Sequence, residues 1–113
     1  MAVSAINTFS LKPHVTAEEF DRFSREVDRP ACLALAEVLS FEVYLVDRGL
    51  GGSPDGAGGA DVVEVMTVTD WAAWEHTRDH APELAPVTAR FAELVDESTV
   101  TTYLTRPSAA KDS

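Results

Sequence analysis

The feature that most constrains the chain is the order of its periodic segments: four short runs with β patterning, and between them three stretches with helical patterning and explicit start signals. From Val3 to Leu11, alternation puts Val3, Ala5, Asn7, Phe9 and Leu11 on one face and Ser4, Ile6, Thr8 and Ser10 on the other. Pro13 stops this strand. Thr16-Ala17-Glu18-Glu19 then has the form of a capping box, in which a threonine and a glutamate three residues later satisfy free helix amides. The helix that follows carries Phe20, Phe23 and Val27 as a buried stripe, and Pro30 is expected to end or kink it.

Leu39 to Val46 reads as a second strand, rich in β-branched and aromatic residues. The glycine-rich run from Gly49 to Gly59 cannot hold regular structure and reads as a hairpin loop, with a lid over a site as the alternative. It lacks the Gly-Lys-Ser/Thr ending of a phosphate loop, and a strand follows it, not a helix. Val62 to Val68 is the third strand. Thr69-Asp70 caps a helix from Trp71 to about Asp79, and another from about Pro86 to Val95 buries Val87, Phe91, Leu94 and Val95. Thr99 to Leu104 is the fourth strand. One domain over residues 1–106 with a disordered tail at 107–113 is the expected organisation.

The order β-α-β-β-α-α-β is a split βαβ pattern, an α+β fold in which helices cover one face of a four-stranded antiparallel sheet. The other face, expected to carry Ile6, Val62 and Met66, must also be hidden, and packing against a second copy would hide it. A homodimer also suits a chain of 113 residues, which has a modest core of its own.

Composition narrows the partners. Nineteen acidic residues against nine basic ones give a formal charge of −10, which repels phosphate backbones and anionic lipid surfaces. Nucleic acid and membrane are therefore not expected partners. There is no apolar run near the roughly 18 residues of a membrane span and no signal-peptide pattern, so the expected location is the cytoplasm. The lone Cys32 sits in an apolar stretch and reads as a buried small hydrophobe, with a nucleophile as the alternative.

Arg25 to Ala31, the Ser40 to Tyr44 strand and the Asp61 to Val65 strand together resemble the RedY/HapK-like family of natural-product pathways, within the dimeric α/β-barrel superfamily. His80-Ala81-Pro82 followed by Phe91-Ala92-Glu93-Leu94 is similar to the same superfamily. The resemblance implies a ferredoxin-like fold pairing as a dimeric α/β barrel, a pocket between sheet and helices in each subunit, and no metal or organic cofactor. It also implies a small aromatic substrate. Three functions fit: a cofactor-independent cyclase acting on a pyrrole or indole type intermediate, a cofactor-free monooxygenase, or a non-catalytic protein that shields an intermediate.

His76 and His80, four apart on one helix, share a face with Ala73, while Trp71, Trp74 and Arg78 point the other way. His76, backed by His80, is the leading acid/base candidate, since a neutral imidazole can take up and return a proton near neutral pH; a solvated helix face is the plain alternative. A zinc site would need a third ligand that the spacing does not supply. Asn7 interrupts an apolar face and must find a hydrogen-bond partner or serve a ligand. Phe9, Phe23, Val63, Val65, Ala73, Trp74 and Phe91 are the expected pocket walls, though the tryptophans could equally fill core or interface. Glu64, between valines, reads as an interface or edge residue that could polarise a histidine, and His14 as a surface residue.

Overall fold

A computed structural model describes residues 2–50 and 59–109. Strand β1 (Val3–Leu11) leads into α1 (Ala17–Phe23), a π-helical turn (Ser24–Asp28) and α2 (Arg29–Leu33). Then come β2 (Val38–Leu45), β3 (Val62–Val68), α3 (Trp71–His80), a 3₁₀ turn (Pro82–Leu84), α4 (Ala85–Leu94) and β4 (Val95–Thr105). The sheet order is β2-β3-β1-β4 and every neighbouring pair is antiparallel. This is the ferredoxin-like α+β fold expected from the pattern. Most of the glycine-rich run, 51–58, and the last four residues, 110–113, lie outside the described residues, so the loop, lid and tail expectations fall there in whole or part.

The local start signals act as the sequence indicates. Thr16 accepts from the Glu19 amide at 3.1 Å while Glu19 Oε1 accepts from the Thr16 amide at 3.2 Å, closing the capping box. Asp70 caps α3 by accepting from the Ala73 amide at 2.8 Å. Each such cap contributes about 1 kcal/mol. The core lies between the sheet and the helices, where Phe9 packs edge-on against Phe20 and Phe91 at centroid distances of 5.6 and 5.2 Å.

Pro30 does not end the first helix. Proline has no amide hydrogen and its ring crowds the carbonyl four residues back, so an ordinary α-turn cannot pass through it unchanged. Here the turn before it widens, and the Arg29 amide reaches back five residues to the Ser24 carbonyl. The added residue advances the phase of the buried stripe. Val27 is consequently 43% exposed, and Ser24, Asp28 and Cys32 point inward at 0%, 7% and 4%.

The parity of β3 also differs from expectation. Val62, Glu64, Met66 and Val68 are buried beneath the helices, while Val63 and Val65 are only partly buried, on the open face. That open face carries rows across the sheet: Tyr103, Ile6, Val65 and Glu42 in one, and Thr101, Thr8, Val63 and Tyr44 in the next. Ile6 is on the expected side; Val62 and Met66 are not. The fourth strand begins at Val95, earlier than expected, because α4 runs straight into it. A register shift opposite Thr8 to Ser10 accommodates residues 97–100, with Thr99 Oγ1 donating to the Asp96 carbonyl at 2.6 Å.

Candidate functional site

A cavity of about 350 Å³ opens between the sheet and the helices. Its floor is the covered face of the sheet, where one cross-strand row runs Thr102, Asn7, Glu64, Val43. Thr102 Oγ1 donates to Asn7 Oδ1 at 2.7 Å, which fixes the amide orientation because only the oxygen can accept. That leaves the Asn7 side chain beside the Glu64 carboxyl in the same row, where it favours the charged form. Glu64 Oε2 is buried without a partner.

The side wall comes from the widened helical turn. Asp28 accepts from the Cys32 thiol at 3.4 Å, and both line the cavity with Glu64. Burial pushes the Asp28 carboxyl up to about 6, partly offset by the Cys32 hydrogen bond and the positive charge of Arg29. Burial and the neighbouring Asp28 charge push Glu64 up to about 8, against a smaller downward pull from Asn7 and Arg29. Both carboxyl groups are therefore held above the ordinary range, and Glu64 is the one that keeps its proton to higher pH. Cys32 is buried as expected, and burial with two acidic neighbours pushes its thiol well up, so it is not a thiolate nucleophile.

The remaining walls are apolar: Trp71 and Trp74 from α3, Val87 and Phe91 from α4, Phe41 and Met66 from the sheet. Arg78, Asp79 and Glu97 also line it. Arg78 is tied to Asp79 at 3.0 Å and to Glu75 at 3.8 Å. Among the described residues there is no group of three or more His, Cys, Asp and Glu placed to hold a metal ion.

Of the residues singled out from the sequence, Asn7, Trp74 and Phe91 line the cavity. Phe9 and Phe23 sit behind it in the core. Val63 and Val65 lie on the opposite sheet face, a correction that follows from the parity of β3. The histidine expectation is corrected as well: α3 turns Trp71, Trp74 and Arg78 inward and leaves Ala73, His76 and His80 exposed. Two indoles bury far more apolar area than an alanine, and that difference sets the helix rotation. The two imidazoles stack at 4.3 Å, and His80 Nδ1 donates to the His76 carbonyl at 2.9 Å. His14 is exposed.

Sequence reasoning missed Asp28 and undervalued Glu64. Asp28 was hidden by the phase shift of the π turn, for which Pro30 was the one available signal. Glu64 reads from the sequence as an interface or edge residue, and the parity of β3 puts it under the helices instead.

A ferredoxin-like α+β sheet with a cavity under its helices defines the class. Within it, residues 3–107 match the family model of the REDY-like protein HapK, and the chain belongs to that family. The structure is similar to HapK from Hahella chejuensis, with a TM-score of 0.73 and 20% identity over 96% of this chain and 94% of that one. It is also similar to SnoaB, a cofactor-independent oxygenase from Streptomyces nogalater, at a TM-score of 0.71 and 12% identity over 99% and 98%. A dimeric ferredoxin-like protein from Thermobifida fusca gives 0.67 and 18% over 95% and 92%. No curated protein sequence matches the chain.

Proposed function

We propose that the protein is a cofactor-independent cyclase in secondary-metabolite biosynthesis, acting in the cytoplasm as a homodimer on a reactive aromatic intermediate of pyrrole or indole type. One observation carries this reading: the buried Glu64 carboxyl, with Oε2 unpartnered, in an aromatic-walled cavity beside Asp28. Glu64 would donate its proton to a carbonyl or imine of the bound substrate. A ring carbon then attacks the activated carbon, and the proton lost as the ring regains aromaticity passes to a carboxylate of the Asp28–Glu64 pair. One proton is given and one returned, so the product is an isomer of the substrate. The walls hold a flexible substrate folded, which removes much of the entropic barrier to ring closure.

The oxygenase alternative draws on the likeness to SnoaB. It requires a substrate anion to react with oxygen, and two buried carboxyl groups are poor company for an anion. Shielding without catalysis needs only the apolar walls and gives the buried acid no task. For the dimer, the open face offers Ile6, Val63, Val65, Tyr44 and Tyr103, with both tyrosines more than half exposed in the single chain.

The test is turnover of a pyrrole or indole intermediate by purified Glu64→Gln, with and without oxygen. Loss of roughly 10² to 10⁴ in rate, in a folded protein and independent of oxygen, is the expected outcome. Full activity in the folded variant contradicts the assignment, and loss of wild-type activity without oxygen favours the oxygenase.

A further inference from the structure

The cavity has two buried acids and, among the described residues, no ion pair to either. Asp28 and Glu64 are 7% and 4% exposed. Arg29 is the positive group felt by both, yet its Nε donates to the Ser24 hydroxyl at 3.1 Å. Arg78 is engaged by Asp79 and Glu75, and Asp79 and Glu97 add further negative charge among the lining residues. A buried carboxylate is ordinarily paired with a cation, and with Glu64 holding its proton the Asp28 carboxylate has no ion-pair partner, so the ligand-sized space beside it lacks a counter-charge. The walls supply the other half of the recognition, since indole faces attract cations and stack on flat rings.

We propose that the cavity selects aromatic ligands bearing a protonated nitrogen, with the ammonium or iminium group set against Asp28 and Glu64 and the ring against Trp71 and Trp74. This rests on the reading of the cavity as the substrate site and adds to it the sign of the ligand's charge. It also gives the ring closure a reason for its acids: an iminium-like intermediate finds its counter-charge already in place. The chain's net charge of −10 favours approach of such a ligand as well.

Calorimetric titration at pH 7.5 with three indoles of similar shape separates the possibilities: tryptamine, neutral tryptophol and anionic indole-3-acetate. Tryptamine is expected to bind at least about tenfold more tightly than tryptophol, and indole-3-acetate most weakly. Asp28→Asn and Glu64→Gln, each nearly isosteric and checked by circular dichroism, should each reduce the preference, and the double variant should bring tryptamine within about threefold of tryptophol. Equal binding of tryptamine and tryptophol, tighter binding of indole-3-acetate, or no binding of any of them overturns the proposal. A Glu64→Gln protein that loses turnover where the wild type shows no charge preference leaves the cyclase reading intact. A preference that persists while Glu64→Gln stays fully active removes the acid assignment alone.

Discussion

Each face of β3 departs from the usual partition of side chains. On the covered face, a carboxyl group at Glu64 is buried between Val62 and Met66. On the open face, Val63 and Val65 are left partly exposed beside Tyr44, Ile6 and Tyr103. Burying a carboxyl costs several kcal/mol when nothing compensates, and leaving valines half-wet forfeits burial the chain could have had. A single chain optimised for its own stability would carry an apolar residue at position 64 and polar ones at 63 and 65. The proposed second copy on the open face and the proposed acid on the covered face would together account for both departures, and each can be tested separately.

The largest effect is expected on the open face. Val65→Glu places two symmetry-related carboxylates in the proposed dimer interface without touching the cavity. The dimer should weaken at least about a hundredfold, giving a folded monomer at micromolar concentration by light scattering. A dimer that persists would put the interface elsewhere.

The covered face should show itself in the pH dependence of stability. Glu64 titrates near 4.5 when exposed and is held up to about 8 in the fold; for Asp28 the corresponding values are 3.8 and about 6. Within those windows the folded chain keeps protons that the unfolded chain has lost, so the contribution of these two groups to stability is fullest below about 4 and falls as pH rises toward 8. The melting temperature should therefore be clearly higher at pH 5 than at pH 8. Glu64→Gln should flatten most of that slope and be more stable than the parent at pH 8, by an amount on the order of a few kcal/mol. A parent with equal melting temperatures at both pH values would mean Glu64 is not buried as a neutral acid.

Smallest of all should be the effect of His76→Ala. Its imidazole is exposed and stacks on His80 outside the cavity, so turnover should stay within about threefold of the parent and melting should not move. A hundredfold loss would return the histidine face to the site.

Much of the architecture was legible in the sequence because it is encoded locally. The Thr16 capping box, the Asp70 cap and the alternation of β1 each identify an element without reference to the rest of the chain. The chemistry was less legible because it depends on phase and parity, which are set by tertiary packing. One extra residue in the π turn moves Asp28 inward in place of Val27. The pairing of Asn7 with Glu64 decides which side of β3 is covered, and no pattern within Val62 to Val68 contains that information. For α3, the weakly segregated sequence Trp71 to His80 allows either face to turn in, and the tryptophans decide it by area.

Carbon-13 NMR of the side-chain carboxyl carbons reads directly whether Glu64 carries a proton in the cavity at neutral pH. Titrated from pH 4 to 10 in protein labelled at glutamate, the Glu64 resonance, assigned by its loss in Glu64→Gln, should show its midpoint at about 8. In Asp28→Asn that midpoint should fall, because the neighbouring negative charge that helps hold the proton is gone. A Glu64 midpoint near 4.5, unchanged by Asp28→Asn, would contradict the account.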